Sequence, residues 1–208
     1  MLKELVQEEL KLLGLNGFEQ PIFYNSCNGI RFEIGVGDIY DNNQIPRNEY
    51  IENALDRAIT IYNKGIQFPE LLVWEVYPQN DDDKANLQVL FAEKIAPVLP
   101  QEESSQDVEV DGDIIKHTYL YWDLNESNIT IDKVFREIIL GDLGGSQEFV
   151  SSLYLFDIKK HVMLYLYDDR GLDIVADCKD TLMPLYQDLN EWILDYDRET
   201  IDKIFKIL

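Results

Sequence analysis

The stretch that decides the fold is Phe149–Ala176, which reads FVSSLYLFDIKKHVMLYLYDDRGLDIVA. It holds three short runs rich in aliphatic and aromatic residues, at 149–156, 161–167 and 172–176, and this composition predicts three strands. The segment Asp157–Lys160 between the first two runs is short enough for a hairpin connection. Consecutive strands joined by short turns pair antiparallel, so the stretch predicts a C-terminal β-meander.

Outside the meander, apolar residues recur at either helical or strand spacing. Helical spacing predicts helices at 1–13, about 48–63, about 84–95, 131–140, about 179–194 and from 198 to about 207. Strand spacing predicts strands at 22–24, 30–34, 71–77 and 114–122. Thr130, Asp177 and Asp197 are predicted to cap the helices that follow them. Because the strands cluster and the helices do not alternate regularly with them, we predict an α+β fold with a mostly antiparallel sheet and flanking helices.

Residues 101–113 are the most polar stretch and predict a linker or mobile loop. This linker would separate an N-terminal α+β subdomain, 1–100, from a C-terminal one, 114–208. A second interpretation is open, because Asp111-Gly112 is typical of a two-residue hairpin turn. In that case the chain forms one continuous domain.

The net charge is −22, from 18 Lys and Arg against 40 Asp and Glu. The excess is spread along the chain, with a net −8 over 1–100 and −14 over 101–208. Proteins that bind nucleic acids or anionic membranes need basic surfaces, so neither a nucleic acid nor a membrane is predicted as a partner. Two interpretations remain: the charge only keeps the protein soluble, or it attracts a basic protein partner.

The first nine residues, MLKELVQEE, lack the apolar core of a secretory signal, and no apolar run is long enough for a membrane span. The two cysteines, Cys27 and Cys178, form no metal or redox motif and are expected to be reduced and buried. These features predict a cytoplasmic protein. His117 and His161 are each expected to pack singly on the sheet. No catalytic residue, metal site or cofactor is predicted, since no known catalytic or phosphate-binding motif is present.

Two polar clusters stand out in the C-terminal third, one within Tyr167–Asp173 and one within Asp195–Glu199. Their candidate site residues are Asp168, Asp169, Arg170, Asp173, Asp195, Tyr196, Asp197 and Arg198. In the structural interpretation, the arginines form ion pairs with the aspartates, and Gly171 supplies a positive φ to the turn. In the alternative, the aspartates converge on a divalent cation, which prefers oxygen ligands.

The same clusters carry a family resemblance. The strings YDDRGLDI (167–174) and WILDYDRETI (192–201) resemble a bacterial family known as the domain of unknown function 3885, over about residues 130–206. The upstream segments Gly29–Gly35 and Arg57-Ala58 are similar to the longer members. The resemblance implies a bacterial cytosolic protein and transfers no catalytic residue.

We therefore expect a non-enzymatic module that binds a basic protein, such as an immunity protein of a bacterial toxin system. The observation behind this expectation is the high negative charge together with the missing catalytic motifs. The alternative is a metal-dependent enzyme that uses the clustered aspartates of the two signatures.

Overall fold

The computed structural model describes residues 1–110, 112–144 and 151–206. Its helices are α1 (Leu2–Leu12), α2 (Ile22–Asn25), α3 (Asn48–Gly65), α4 (Asp81–Lys94), α5 (Ile131–Gly141), α6 (Lys179–Asp188) and α7 (Arg198–Phe205), and two 3₁₀ turns lie at Asn190–Trp192 and Asp195–Asp197. Its strands are β1 (Gly29–Glu33), β2 (Leu71–Val76), β3 (Glu102–Val110), β4 (Asp113–Asp123), β5 (Ser152–Asp157), β6 (Val162–Leu166) and β7 (Gly171–Ala176).

The strands of the described residues form one sheet in the order β1-β7-β6-β5-β2-β4-β3, and every neighbouring pair is antiparallel. This confirms the predicted α+β fold. Strands β5, β6 and β7 are consecutive in both the chain and the sheet, which confirms the predicted meander. Pairing of β5 begins at Ser152, while Phe149 and Val150 of the predicted strand lie outside the described residues.

The two faces of the sheet build two apolar layers, because successive side chains of a strand point to opposite faces. In β7, Leu172 and Ile174 face the larger layer, which α3 to α7 cover. Val175 faces the smaller layer, which is covered by α1 and contains the buried tyrosines Tyr154 and Tyr165. Polar groups of the sheet, including Asp173, lie on this second, tyrosine-rich side.

The segment 22–24 forms helix α2, so the strand predicted there is wrong. Ile22 and Phe23 are buried, and the N–H of Phe23 donates a hydrogen bond to the Asp173 carboxylate at 3.0 Å. A run of three apolar residues is too short to show a period. Contacts with the distant strand β7 therefore decide its conformation.

Most of the predicted linker is strand β3, which pairs with β4 from Glu102↔Tyr121 to Val110↔Asp113. The segment is polar because β3 lies at the edge of the sheet, where charged side chains reduce unwanted strand pairing. Gly112 in the connection has a φ of 91°, as a tight hairpin turn requires. The sheet thus takes paired strands from both sides of the predicted boundary.

The helix ends differ in detail from the prediction. Cys178, not Asp177, is the N-cap residue of α6, and α6 ends at Asp188 instead of about 194. The side-chain amide of Asn190 donates a hydrogen bond to the Tyr186 carbonyl. This carbonyl therefore has a hydrogen-bond partner without a further turn of helix. Asp197 occupies the N-cap position of α7 without a side-chain capping bond, since its carboxylate binds other donors.

Both cysteines are free and exposed, so the prediction of buried thiols is wrong. Each lies just outside a strand end, Cys27 before β1 and Cys178 after β7. Within the described ranges, no helix combines the length and the apolar character needed to cross a bilayer.

Candidate functional site

The turn between β6 and β7 is organised by Asp168. Its carboxylate accepts hydrogen bonds from the backbone N–H groups of Arg170 (2.8 Å) and Gly171 (3.2 Å) and from the Nε of Arg170 (2.8 Å). Gly171 does not adopt the predicted positive φ. Glycine is needed because a Cβ would clash with the Tyr167 hydroxyl and lie 3.0 Å from the Phe32 carbonyl oxygen.

Asp169 points into the protein, where the hydroxyl of Tyr50 in α3 donates a hydrogen bond to it at 2.6 Å. Asp142, which follows α5, adds a third carboxylate, and oxygens of Asp142, Asp168 and Asp169 lie within 4.8 Å of one another. Burial and the two neighbouring carboxylates raise the pKa of Asp142 above its ordinary value. The exposed guanidinium of Arg170 supplies the positive charge at this cluster.

Asp173 and Asp197 share one cation, Arg31 of β1. The Arg31 Nε and Nη2 donate to the two Asp173 oxygens at 2.7 and 3.0 Å, and Nη1 lies 3.5 Å from Asp197. The Tyr24 hydroxyl donates to the second Asp197 oxygen at 2.6 Å. Burial alone would lower the pKa of Arg31, but hydrogen bonds from its guanidinium to Asp173 and the charge of that carboxylate raise it. The rings of Phe23 and Tyr24 lie 5.4 and 4.9 Å from the guanidinium.

The rest of the second signature faces outward. Arg198 donates from Nε to Asp195 at 2.9 Å and from Nη2 to the Ile193 carbonyl at 2.9 Å. The Asp195 side chain is 93% exposed, and Tyr196 is also exposed. This part of the signature therefore fixes the chain direction before α7 and contributes little buried charge.

The structure brings Asp173 and Asp197 together, whereas Asp168 and Asp169 lie with Asp142. The donors that sequence reasoning missed are Arg31, Tyr50 and Tyr24, each remote in sequence from the carboxylate it binds. One signal was present: Arg31 alternates with apolar residues in β1, which places it on the polar side of the sheet. The result is a brace that ties β1, β7 and the start of α7 together.

Both histidines pair with buried glutamates. Glu75 in β2 is fully buried and accepts hydrogen bonds from Gln20 (2.9 Å) and the Tyr154 hydroxyl (2.8 Å), and it lies 2.7 Å from Nδ1 of His117. Nδ1 of His161 lies 2.9 Å from the buried Glu9 of α1. These contacts connect the polar side of the sheet to Gln20 and to Glu9 of α1, which cover it.

A different arrangement lies beside α1, where a concavity of about 510 Å³ opens at the end of the sheet. Five of its lining residues are acidic, and none of them is a lysine or an arginine. We call it the acidic concavity; it is lined by Met1, Leu2, Glu4, Leu5, Glu8, Gln101, Glu102, Asp123 and Glu126. Glu4, Glu8 and Glu126 are exposed.

One acidic side chain of the concavity also holds the structure together. The Glu102 carboxylate accepts hydrogen bonds from the backbone N–H groups of Leu2 (2.8 Å) and Lys3 (3.0 Å). N–H groups in the first turn of a helix have no partner within the helix, so Glu102 supplies one. These bonds lower the pKa of Glu102 below its ordinary value. They attach α1 to the edge strand β3 and so fix one wall of the concavity.

The family model described as Domain of unknown function (DUF3885) matches residues 7–197, a longer stretch than the resemblance over 130–206. No curated protein and no solved structure matches the chain.

Proposed function

The chain belongs to the DUF3885 family, whose description assigns no activity, and from this premise we propose that it is a non-enzymatic module that binds a basic protein. The acidic concavity is the observation that carries this proposal. Its acidic side chains face solvent or line the wall without a Lys or Arg side chain among them. A basic side chain from a partner would supply the missing counter-charge.

The charge of the whole molecule supports the same partner. The chain has 40 acidic residues. Among the residues that the structure describes, seven acidic side chains are buried, all in the networks described above or at Asp157, and no Lys or Arg is buried. Most of the acidic excess is therefore at the surface. Such a surface accelerates the encounter with a basic protein and disfavours acidic ones.

The concavity also offers apolar contact. Leu2 and Leu5 are partly buried in its wall, and Met1 is exposed beside them. Lysine and arginine bury their aliphatic stems along apolar surface while the charged head binds a carboxylate. The combination therefore suits insertion of long basic side chains better than it suits a simple inorganic cation.

The concrete form that we propose is an immunity-type protein of a bacterial cell, which would neutralise a basic toxin in the cytoplasm by covering it. This step rests on analogy of charge and size. It predicts a tight, salt-sensitive complex and no turnover of a substrate by the chain alone.

The test begins with affinity capture at low salt from the native host, followed by purification of the captured partner and calorimetry. The triple variant E4Q/E8Q/E126Q removes three exposed charges of the concavity with little change of shape. We expect it to weaken the complex by about tenfold or more, since each charged contact across an interface contributes to affinity.

The matched control is D56N/E93Q/E191Q, which removes three exposed charges from elements that cover the opposite face of the sheet. It should bind within about twofold of the parent chain. If the two triple variants weaken the complex equally, only the net charge determines its affinity, and the assignment of the site is overturned. Capture of no basic protein would overturn the function.

The second candidate is a metal-dependent enzyme, favoured by one observation: the oxygens of Asp142, Asp168 and Asp169 lie within 4.8 Å of one another. Against it, Arg170 and two backbone N–H groups already bind Asp168, and Tyr50 binds Asp169. Titration of Mg²⁺ and Mn²⁺ by calorimetry separates the candidates. Saturable binding that D142N abolishes would support the enzyme, and its absence would support the binding module.

A further inference from the structure

A second groove, of about 380 Å³, lies on the other side of α1. Its walls are α1 and the loop after it, and its floor is the β3–β4 hairpin. We call it the lysine groove; it is lined by Lys3, Val6, Gln7, Leu10, Lys11, Asn16, Gly17, Phe18, Ser104, Ser105, Gln106, Tyr119 and Tyr121. Its size falls in the usual range for small-molecule sites.

The charge of this groove is opposite to that of the molecule. It contains Lys3 and Lys11 and no Asp or Glu, in a chain with 40 acidic residues. Among the described residues, neither lysine has a carboxylate within 4.0 Å of its Nζ. Lys3, Gln7 and Lys11 are four residues apart on α1, so their side chains form one row along the helix.

The floor of the groove is polar and well ordered by its own contacts. The hydroxyls of Ser104 and Tyr121 are 2.9 Å apart, and the Gln106 amide donates to the Tyr119 hydroxyl at 3.0 Å. Phe18, which also lines the groove, stacks on Tyr119 with 4.7 Å between the ring centroids. The second amide hydrogen of Gln106 and the remaining hydroxyl hydrogen of the Ser104–Tyr121 pair can donate hydrogen bonds to a ligand opposite the lysines.

From these observations we propose that the lysine groove binds a small anion that extends along α1 and carries phosphate or carboxylate groups. The two lysines supply the charge that such a ligand needs. Their Cα atoms lie about 12 Å apart along the helix, so a ligand with an anionic group near each end fits the row better than a single ion does. The site is separate from the acidic concavity and does not depend on the proposed protein partner.

The test uses inorganic pyrophosphate and glutarate as probes, which distinguish a phosphate from a carboxylate ligand. Binding is measured at low salt by calorimetry and by amide chemical shifts of α1, β3 and β4. We expect saturable one-site binding of at least one probe. In the double variant K3Q/K11Q, its Kd should rise by about tenfold or more.

Two further variants separate a built site from general charge attraction. K116Q/K133Q removes two exposed lysines outside the groove and should change the Kd by less than about twofold. Gly17→Leu keeps every charge and should leave the fold intact, because a Cβ at this position has nothing within 4 Å. Since Gly17 lines the groove, the added bulk should weaken binding of the probe.

The proposal is overturned if neither probe binds saturably to the parent chain. It is also overturned if the two double variants weaken binding equally, or if Gly17→Leu has no effect. Thermal unfolding of each variant confirms that the chain is folded before its affinity is interpreted.

Discussion

The signature region and the acidic concavity use carboxylates in opposite ways. In the signature region, Asp168, Asp169, Asp173 and Asp197 are buried, and each binds donors from the same chain. In the concavity, most of the carboxylates are exposed and lack a lysine or arginine partner in the lining. Acidity as such therefore does not distinguish the two regions; the presence or absence of an internal partner does.

The physical reason for the difference is desolvation. A buried carboxylate must be compensated by hydrogen bonds or a cation, because an isolated buried charge is strongly destabilising. An exposed carboxylate is solvated by water and needs no partner to fold. Only the second kind is available to another molecule.

The largest expected effect comes from Asp173→Asn, which removes the charge from the fully buried partner of Arg31. The free energy of unfolding in urea should fall by about 3–5 kcal/mol, because the Arg31 side chain is only 12% exposed and keeps just the 3.5 Å contact with Asp197 as a carboxylate partner. The matched control Asp195→Asn makes the same change in a side chain that is 93% exposed and should cost less than about 1 kcal/mol. Similar losses of stability in both variants would contradict the distinction between buried and exposed carboxylates.

The next effect is that of Tyr50→Phe, which deletes the hydroxyl that donates to Asp169. The buried carboxylate then loses a hydrogen bond, and stability should fall by about 1–3 kcal/mol. Tyr40→Phe removes a hydroxyl from an exposed ring and should leave stability within about 0.5 kcal/mol. A loss confined to Tyr50→Phe in thermal and urea unfolding would place Asp169 firmly among the structural carboxylates.

Glu102 sharpens the comparison, because it lines the concavity and yet has an internal role. Its pKa is lowered by the backbone N–H groups at the start of α1, so its stabilising effect is present above the ordinary value of 4.5 and is lost as pH falls through the lower folded value. Glu102→Gln should cost about 1 kcal/mol at pH 7. The difference from the parent chain should shrink in acid; a constant difference would argue against this role.

The smallest effect concerns His161, whose pKa is raised chiefly by its contact with Glu9 and also by the charges of Asp177 and Asp157. Its contribution to stability is therefore full below the ordinary value of 6.5 and is lost as pH rises through the folded value. His161→Asn keeps a residue that tolerates the φ of 50° at this position. The parent chain should exceed the variant in stability by more at pH 6 than at pH 9, as measured by urea unfolding.

Much of the fold could be predicted because the decisive patterns are local. The meander is encoded in three short apolar runs with brief connections, and its strands pair as expected. The edge strand β3 follows only from the second interpretation, the hairpin turn at Asp111-Gly112, since its polar sequence has the composition of a loop and its pairing with β4 makes it a strand. Helix α2 was missed for the same kind of reason, because contacts with β7 determine it.

The candidate site was predictable only in part. The sequence identified the aspartates of the two signatures, but it assigned them to the nearest arginines. The nearest arginine in the sequence is indeed the ion-pair partner of Asp168, which pairs with Arg170, and of Asp195, which pairs with Arg198. For Asp173 and Asp197 the partner is instead Arg31, which lies more than 140 residues away and is brought close by the pairing of β1 with β7.

The division between the two kinds of carboxylate is tested most directly by the urea unfolding free energy of E4Q/E8Q/E126Q. If these concavity carboxylates serve a partner and not the fold, the variant should stay within about 1 kcal/mol of the parent chain. A loss of about 3 kcal/mol or more, comparable to that expected for Asp173→Asn, would contradict the account, because it would make the outward carboxylates as structural as the buried ones.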